Sequence, residues 1–198
     1  MIVPIVEGHG ESESIRILLE RIFSELFEIH WIPVRRPIRR PRSSLVKREG
    51  IEAAVRFANR EAPTAAILVL LDADNACPED LGTTLREWGA AAIPHVALEV
   101  LLAKMEFEAW FLASLESLRG VNGVKGDAER PPAPEEIRDA KGWLERQMNA
   151  GCTYAPPQSQ PAFTRAFSLE EAQEHSPSFK KLIKKLARLR DALELTAQ

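Results

Sequence analysis

The stretch that most constrains the fold is Ala65-Ala66-Ile67-Leu68-Val69-Leu70-Leu71-Asp72-Ala73-Asp74-Asn75, in which seven apolar residues run straight into two carboxylates spaced i, i+2. A short continuous apolar run of this kind predicts a strand buried on both faces, hence a parallel sheet flanked by helices. If the extended geometry persists to its end, Asp72 and Asp74 point the same way. Two acids side by side call for a cation, a basic partner or bulk water. The same residues also suit an acidic turn that opens the next helix.

Around this strand the chain alternates. Ile2 to Val6 reads as a first strand, where Pro4 removes a ladder donor and favours an edge or bulged position. It breaks at Glu7-Gly8-His9-Gly10-Glu11, a glycine-spaced turn into a helix with Ile15, Leu18, Leu19, Ile22, Phe23 and Leu26 on its core face. Ile29 to Val34 is a second strand candidate, and Ile51 to Arg60 a helix ended by Pro63-Thr64. Pro78 to Trp88 reads as a helix, Val96 to Leu102 as a strand and Lys104 to Ala113 as a helix. This is the pattern of βα units on a mostly parallel sheet. After about Leu118 the glycines at 120, 123 and 126 and the prolines at 131, 132 and 134 mark an exposed connection. Glu135 to Met148 then reads as helical, Cys152 to Thr164 as irregular, and a last helix starts near Ser176-Pro177. The expected division is an α/β core over 1–118 and a helical extension over 119–198 packed on it.

Charge is unevenly placed. Trp31 to Arg48 holds seven basic residues (Arg35, Arg36, Arg39, Arg40, Arg42, Lys47 and Arg48) and no acid, so removing them from the 26 basic residues leaves 19 against 29 acids. Prolines 33, 37 and 41 keep the middle of this segment out of a helix. Arg35, Arg36, Arg39, Arg40 and Arg42 are the candidates for phosphate contact, with a solvated loop as the plainer reading. The last helix carries Lys180, Lys181, Lys184, Lys185, Arg188 and Arg190 around an apolar stripe. Such a face usually lies in water, and it also suits phosphates or a partner.

The net charge of -3 excludes a strongly basic nucleic-acid binder by bulk charge, though not one with a local basic patch. Cys77 and Cys152 make neither a disulfide framework nor a zinc spacing. There is no phosphate-binding Gly-x-x-x-x-Gly-Lys-Ser/Thr loop and no Gly-x-Ser-x-Gly elbow. With a Met-Ile-Val-Pro start and no long apolar run, the expectation is a cytoplasmic protein without a membrane segment.

In a parallel sheet the strand carboxyl ends share one rim, where ligands bind. Glu7 follows the first strand and Asp72-Ala73-Asp74 the third, so three carboxylates are expected to gather there. Mg²⁺ (or Mn²⁺) is the natural counter-ion for such an oxygen-only set, and it can activate water against a phosphodiester. The Gly8-His9-Gly10 turn lets backbone approach a phosphate at a helix N-terminus, and His9 stands where a proton carrier would. Glu11 reads first as a residue favouring the helix's positive end. Glu106 and Glu108, two apart on an expected helix, should point in different directions. Trp110, Phe107 and Phe111 read as core.

The pieces Val6-Glu7-Gly8-His9-Gly10-Glu11, Leu70-Leu71-Asp72-Ala73-Asp74, Glu108-Ala109-Trp110-Phe111-Leu112-Ala113 and Ser176-Pro177-Ser178-Phe179 resemble the Toprim domain of topoisomerases, bacterial primases and overcoming-lysogenization-defect nucleases. They resemble more closely a small Toprim-like group, the domain of unknown function 4276 family. The resemblance implies a Toprim-like α/β fold and a Mg²⁺-dependent nuclease or phosphotransfer activity. It implies that Glu7 acts as general acid/base or ligand, that Asp72 and Asp74 hold the metal, and that Glu108 is a further acid. By analogy it also implies a role beside an ATPase in phage defence. Two other readings stay open: a non-catalytic, metal-binding regulatory subunit of an ATPase, and a different phosphotransfer fold with aspartates at its strand ends.

Overall fold

The computed structural model describes residues 1–63 and 65–195, with the side chains of 9, 194 and 195 left out. Thr64, expected to help end a helix, and the imidazole of His9 lie outside the described residues. Four strands form one all-parallel sheet in the order β2-β1-β3-β4: β1 (Ile2–Val6), β2 (Ile38–Arg39), β3 (Ala66–Asp72) and β4 (Leu98–Ala103). The helices are α1 (His9–Arg21), α2 (Arg42–Leu45), α3 (Arg48–Glu61), α4 (Pro78–Ala92), α5 (Ala109–Ala113), α6 (Ala140–Arg146), α7 (Pro156–Ala166), α8 (Leu169–His175) and α9 (Pro177–Leu195). Among the described residues no helix is long and apolar enough to cross a membrane.

The central strand is buried on both faces because its side chains divide by parity. Ala66, Leu68 and Leu70 join Ile2, Val6, Leu101 and Ala103 in one hydrophobic cluster, shared with α1, α5 and α7 to α9. Ile67, Val69 and Leu71 join Val3, Ile5, Val100 and Leu102 in a second, shared with α3 and α4. The first cluster contains a chain of rings: Phe107 meets Trp110 and Phe111, Trp110 meets Phe179, and Phe111 meets Phe163 and Phe167, with centroids 4.7–5.5 Å apart. Each buried ring contributes about 1.5–3 kcal/mol. Residues from both halves of the chain thus fill one helical layer.

Several elements differ from the expectations, each because a tertiary contact outweighs local pattern. Ile29–Val34 forms no strand; only Val34 bridges to Ile2, and the paired strand comes later, at Ile38–Arg39. β1 is interior rather than an edge. Pro4 is tolerated because the register turns its nitrogen toward the β2 side, where pairing lapses between the Val34 bridge to Ile2 and the start of β2 at Ile38. Only Ala109–Ala113 of the expected Lys104–Ala113 helix is helical, since Met105 takes a φ of 61° and bridges to Asp74. In Glu135–Met148 the α-helix is restricted to α6, preceded by a 3-10 turn over Pro134–Glu136, and its first turn is capped by Asp139 Oδ1 accepting from the Gly142 N–H at 2.9 Å. Glu135 instead accepts from the Ser178 N–H at 2.8 Å and from the Ser176 hydroxyl, closing the start of α9.

The expected irregular segment Cys152–Thr164 holds most of α7. Pro156 and Pro157 occupy its first turn, where N–H groups have no helical partner anyway. This helix packs on α1 at Gly10, where a Cβ would overlap Gln160 Oε1 and lie 3.1 Å from the Pro156 carbonyl oxygen. The glycine is therefore required by helix contact. Gly10→Ala is expected to destabilise the fold by about 1–3 kcal/mol, read as a lowered urea midpoint; an unchanged midpoint would show that α7 does not sit this close.

Candidate functional site

The site stands at the carboxyl ends of β1 and β3. Their pairing ends with Val6 beside Leu70, and just beyond it the Asp72 N–H, at the last residue of β3, donates to Glu7 Oε1 at 2.6 Å. Asp72 Oδ1 accepts from the Phe107 N–H at 2.7 Å. That bond ties the β3 end to the segment after β4. Glu7 Oε2 and Asp72 Oδ2 have no hydrogen-bond partner among the described residues.

Asp74 departs from the shared direction that an extended chain would give it. The strand ends at Asp72, and Asp74 has a φ of 49°, a left-handed conformation that Asp tolerates at some cost. Its Oδ2 lies 3.2 Å from Arg42 Nε. Arg42 also donates to the carbonyl oxygens of Asp72 and Ala73, at 3.1 and 3.2 Å. One guanidinium therefore grips the whole turn. Glu7 still feels the charges of both Asp74 and Arg42.

Two further acids complete the cluster. Glu11, only 9% exposed, accepts from the Gly8 N–H at the start of α1. Glu108 is fully buried; its Oε1 accepts from the Tyr154 hydroxyl at 2.9 Å and from Gln160 Nε2 at 3.0 Å. Its Oε2 accepts no well-formed hydrogen bond but lies 3.0 Å from Lys141 Nζ, an ion pair rather than an orphaned charge. Glu106 lies 3.4 Å from the same ammonium. Because the backbone there is not helical, both glutamates turn to Lys141, against the expectation that they diverge.

The electrostatics follow from burial and crowding. Burial raises the Asp72 carboxyl well above the ordinary range, reinforced by the charges of Glu11 and Glu108. Burial also raises Glu7, against the pull of its bond from Asp72. Glu11 is pushed up to about 7, by burial first and then by Glu7 and Glu108. Burial opposes the charge on Lys141, but Glu108 and Asp72 outweigh it and hold the ammonium protonated. Burial and the Glu108 charge keep the Tyr154 hydroxyl protonated. Among the described residues six carboxylates (Glu7, Glu11, Asp72, Asp74, Glu106 and Glu108) thus share two cations, Arg42 and Lys141. Among the described residues no three acids, histidines or cysteines are already drawn together closely enough to hold a metal ion.

A family profile matches residues 6–187, nearly the whole chain. The chain belongs to the family described as Domain of unknown function (DUF4276). No curated protein and no solved structure matches it. The matched span of this DUF4276 chain includes every residue of the cluster, those on α6 and α7 among them.

The structure divides the arginines that the sequence grouped together. Arg42 belongs to the acidic site, Arg35 donates to the Glu61 carbonyl at 3.1 Å, and Arg40 lies over the Phe57 ring at 5.1 Å. Arg36 and Arg39 are exposed and have no ion-pair partner among the described residues. They line a groove of about 1080 Å³ with Arg16 and Arg165 along α1. Lys141, Tyr154 and Gln160 were not singled out by the sequence, where nothing distinguishes them from ordinary helix and loop residues.

The raised Glu11 carboxyl has a consequence for stability. A group shifted from 4.5 to about 7 in the folded state stabilises the fold fully below pH 4.5 and loses that contribution as pH rises through about 7, on the order of 3 kcal/mol. Between pH 4.5 and 8 the wild type should lose that much stability relative to Glu11→Gln, measured by urea unfolding. Parallel curves for the two proteins would show that Glu11 does not carry the shift.

Proposed function

We propose that this DUF4276 chain is a Mg²⁺-dependent phosphodiester hydrolase with a Toprim-like acidic centre, acting on nucleic acid. The observation that carries the reading is the surplus of carboxylates at the sheet rim. Glu7 and Asp72 are held in place by one oxygen each and leave the other open, while six acids (Glu7, Glu11, Asp72, Asp74, Glu106 and Glu108) are set against two cations, Arg42 and Lys141. An oxygen-only set short of positive charge fits a hard divalent cation. Glu7 and Asp72 would hold it, with Asp74 and Glu11 beside them.

When bound, Mg²⁺ or Mn²⁺ would supply charge neutralisation at a phosphate and a more acidic water. The chain's own residues do the rest. Arg42 holds the Asp72-Ala73-Asp74 turn, and Lys141 keeps a positive charge against the incoming phosphate. Glu11, titrating near 7, is suited to take up or return a proton at neutral pH. Arg36 and Arg39, exposed in the groove along α1 that Glu13 and Glu20 also line, would receive substrate phosphates.

A second reading rests on Lys141: an ammonium already balancing Glu106 and Glu108 suits a structural site in a regulatory subunit, with or without metal. One experiment separates the two. Titration calorimetry with Mn²⁺ should show binding that weakens roughly tenfold or more in Glu7→Gln and Asp72→Asn, and DNA or RNA cleavage should need the metal and stop in both variants. Cleavage at the wild-type rate in the double variant would refute the hydrolase reading. Metal binding without cleavage, with either nucleic acid, would favour the structural one.

A further inference from the structure

At the far edge of the sheet, away from Arg36 and Arg39, β4 lies beneath a slot of about 250 Å³ between α4 and α9. Its walls carry Arg86 from α4 and Lys181, Lys184, Lys185 and Arg188 from α9. The four α9 residues stand at i, i+3, i+4 and i+7, one face of the helix, a row about 10 Å long. Lys181 is paired with Glu79, and Glu99 holds Lys185 at 2.8 Å and Arg188 at 3.6 Å. Arg86 and Lys184 are exposed and have no ion-pair partner among the described residues. The slot is therefore left with excess positive charge.

Its floor supplies donors. The bonds from the Ile67 N–H to the Ala97 carbonyl and from the Ala73 N–H to the Ala103 carbonyl fix the β3–β4 register. Alternation then turns the N–H and C=O groups of Val100 and Leu102 outward, into the slot. These groups have no partner among the described residues, although Val100 and Leu102 are only 1% and 2% exposed. Buried backbone donors without partners are costly and normally find one. At that burial α4 and α9 already close over the edge, so an added β-strand has no access along it. The slot itself is lined by Val100, Leu101 and Leu102, so a compact group entering it meets this edge. Gly82 keeps the roof low, with a Cβ position 3.3 Å from Leu102 Cδ1.

We infer that this slot is a phosphate-binding site, taking a phosphoryl group between Arg86 and Lys184 and over the Val100 and Leu102 N–H groups. Charge-assisted bonds from Arg and Lys to phosphate are the strong kind, and the neighbouring carbonyls stay within reach of the flexible lysine heads. The phosphate can come from a small molecule or from a nucleic-acid strand. The inference does not depend on the acidic rim site.

The test is pyrophosphate binding to the full chain by titration calorimetry in EDTA, which removes any contribution of a metal at the rim. Arg86→Glu with Lys184→Glu should weaken binding roughly tenfold or more, and the milder Arg86→Gln with Lys184→Gln should weaken it in the same direction. Lys47→Glu with Arg138→Glu, an equal charge change elsewhere on the surface, should not. A short single-stranded DNA that competes with pyrophosphate identifies a strand as the source; a mononucleotide that competes where the strand does not identifies a small molecule. Equal pyrophosphate affinity in wild type and both slot variants, or binding of an acidic peptide that pyrophosphate cannot displace, would overturn the inference.

Discussion

The bond from the Asp72 N–H to Glu7 Oε1 joins the two central strands where their ladder runs out. It exists because β1 and β3 are parallel and in register, so that Glu7, one residue past the last pair, reaches the backbone of Asp72, two residues past it. A carboxylate spent on a backbone donor is fixed in position, and Asp72 is fixed in turn by the Phe107 N–H. The rest of the site is built outward from this pair. Arg42 holds the turn beyond it, and the segment after β4 is drawn away from helix toward it.

Concentrating acids at a buried rim is unfavourable unless something balances them. The molecule answers in part with Lys141, delivered from α6, and with neutral donors from Tyr154 and Gln160 onto Glu108. These come from the second half of the chain, which also provides the ring cluster on one face of the sheet. The helical half therefore serves both to bury the sheet and to set the charge of its rim. What remains uncompensated appears as carboxyls raised above their ordinary range, the same imbalance a divalent cation would relieve.

Basic side chains occupy three separate stations. Arg42 sits within the acidic site, Arg36 and Arg39 face the α1 groove beside β2, and the α9 row faces the slot beside β4. The two surface stations flank opposite edges of a four-stranded sheet.

Sequence alone determined the parallel α/β core, because an apolar run with no polar face has one stable setting, between two helical layers. It also put Glu7 and Asp72 on one rim, since every parallel strand delivers its carboxyl end there, while the structure decided that their strands are neighbours. Only the tertiary structure decided where Asp74 points, because a left-handed φ at a strand end leaves no periodic trace. It likewise decided that Glu11 and Glu108 join the cluster and that Lys141, Tyr154 and Gln160 face them. These positions depend on the packing of α1 on α7 through Gly10 and on hydrogen bonds between residues 35 to 65 positions apart. Contacts of that range are set by how whole layers fit together, and no local spacing encodes them.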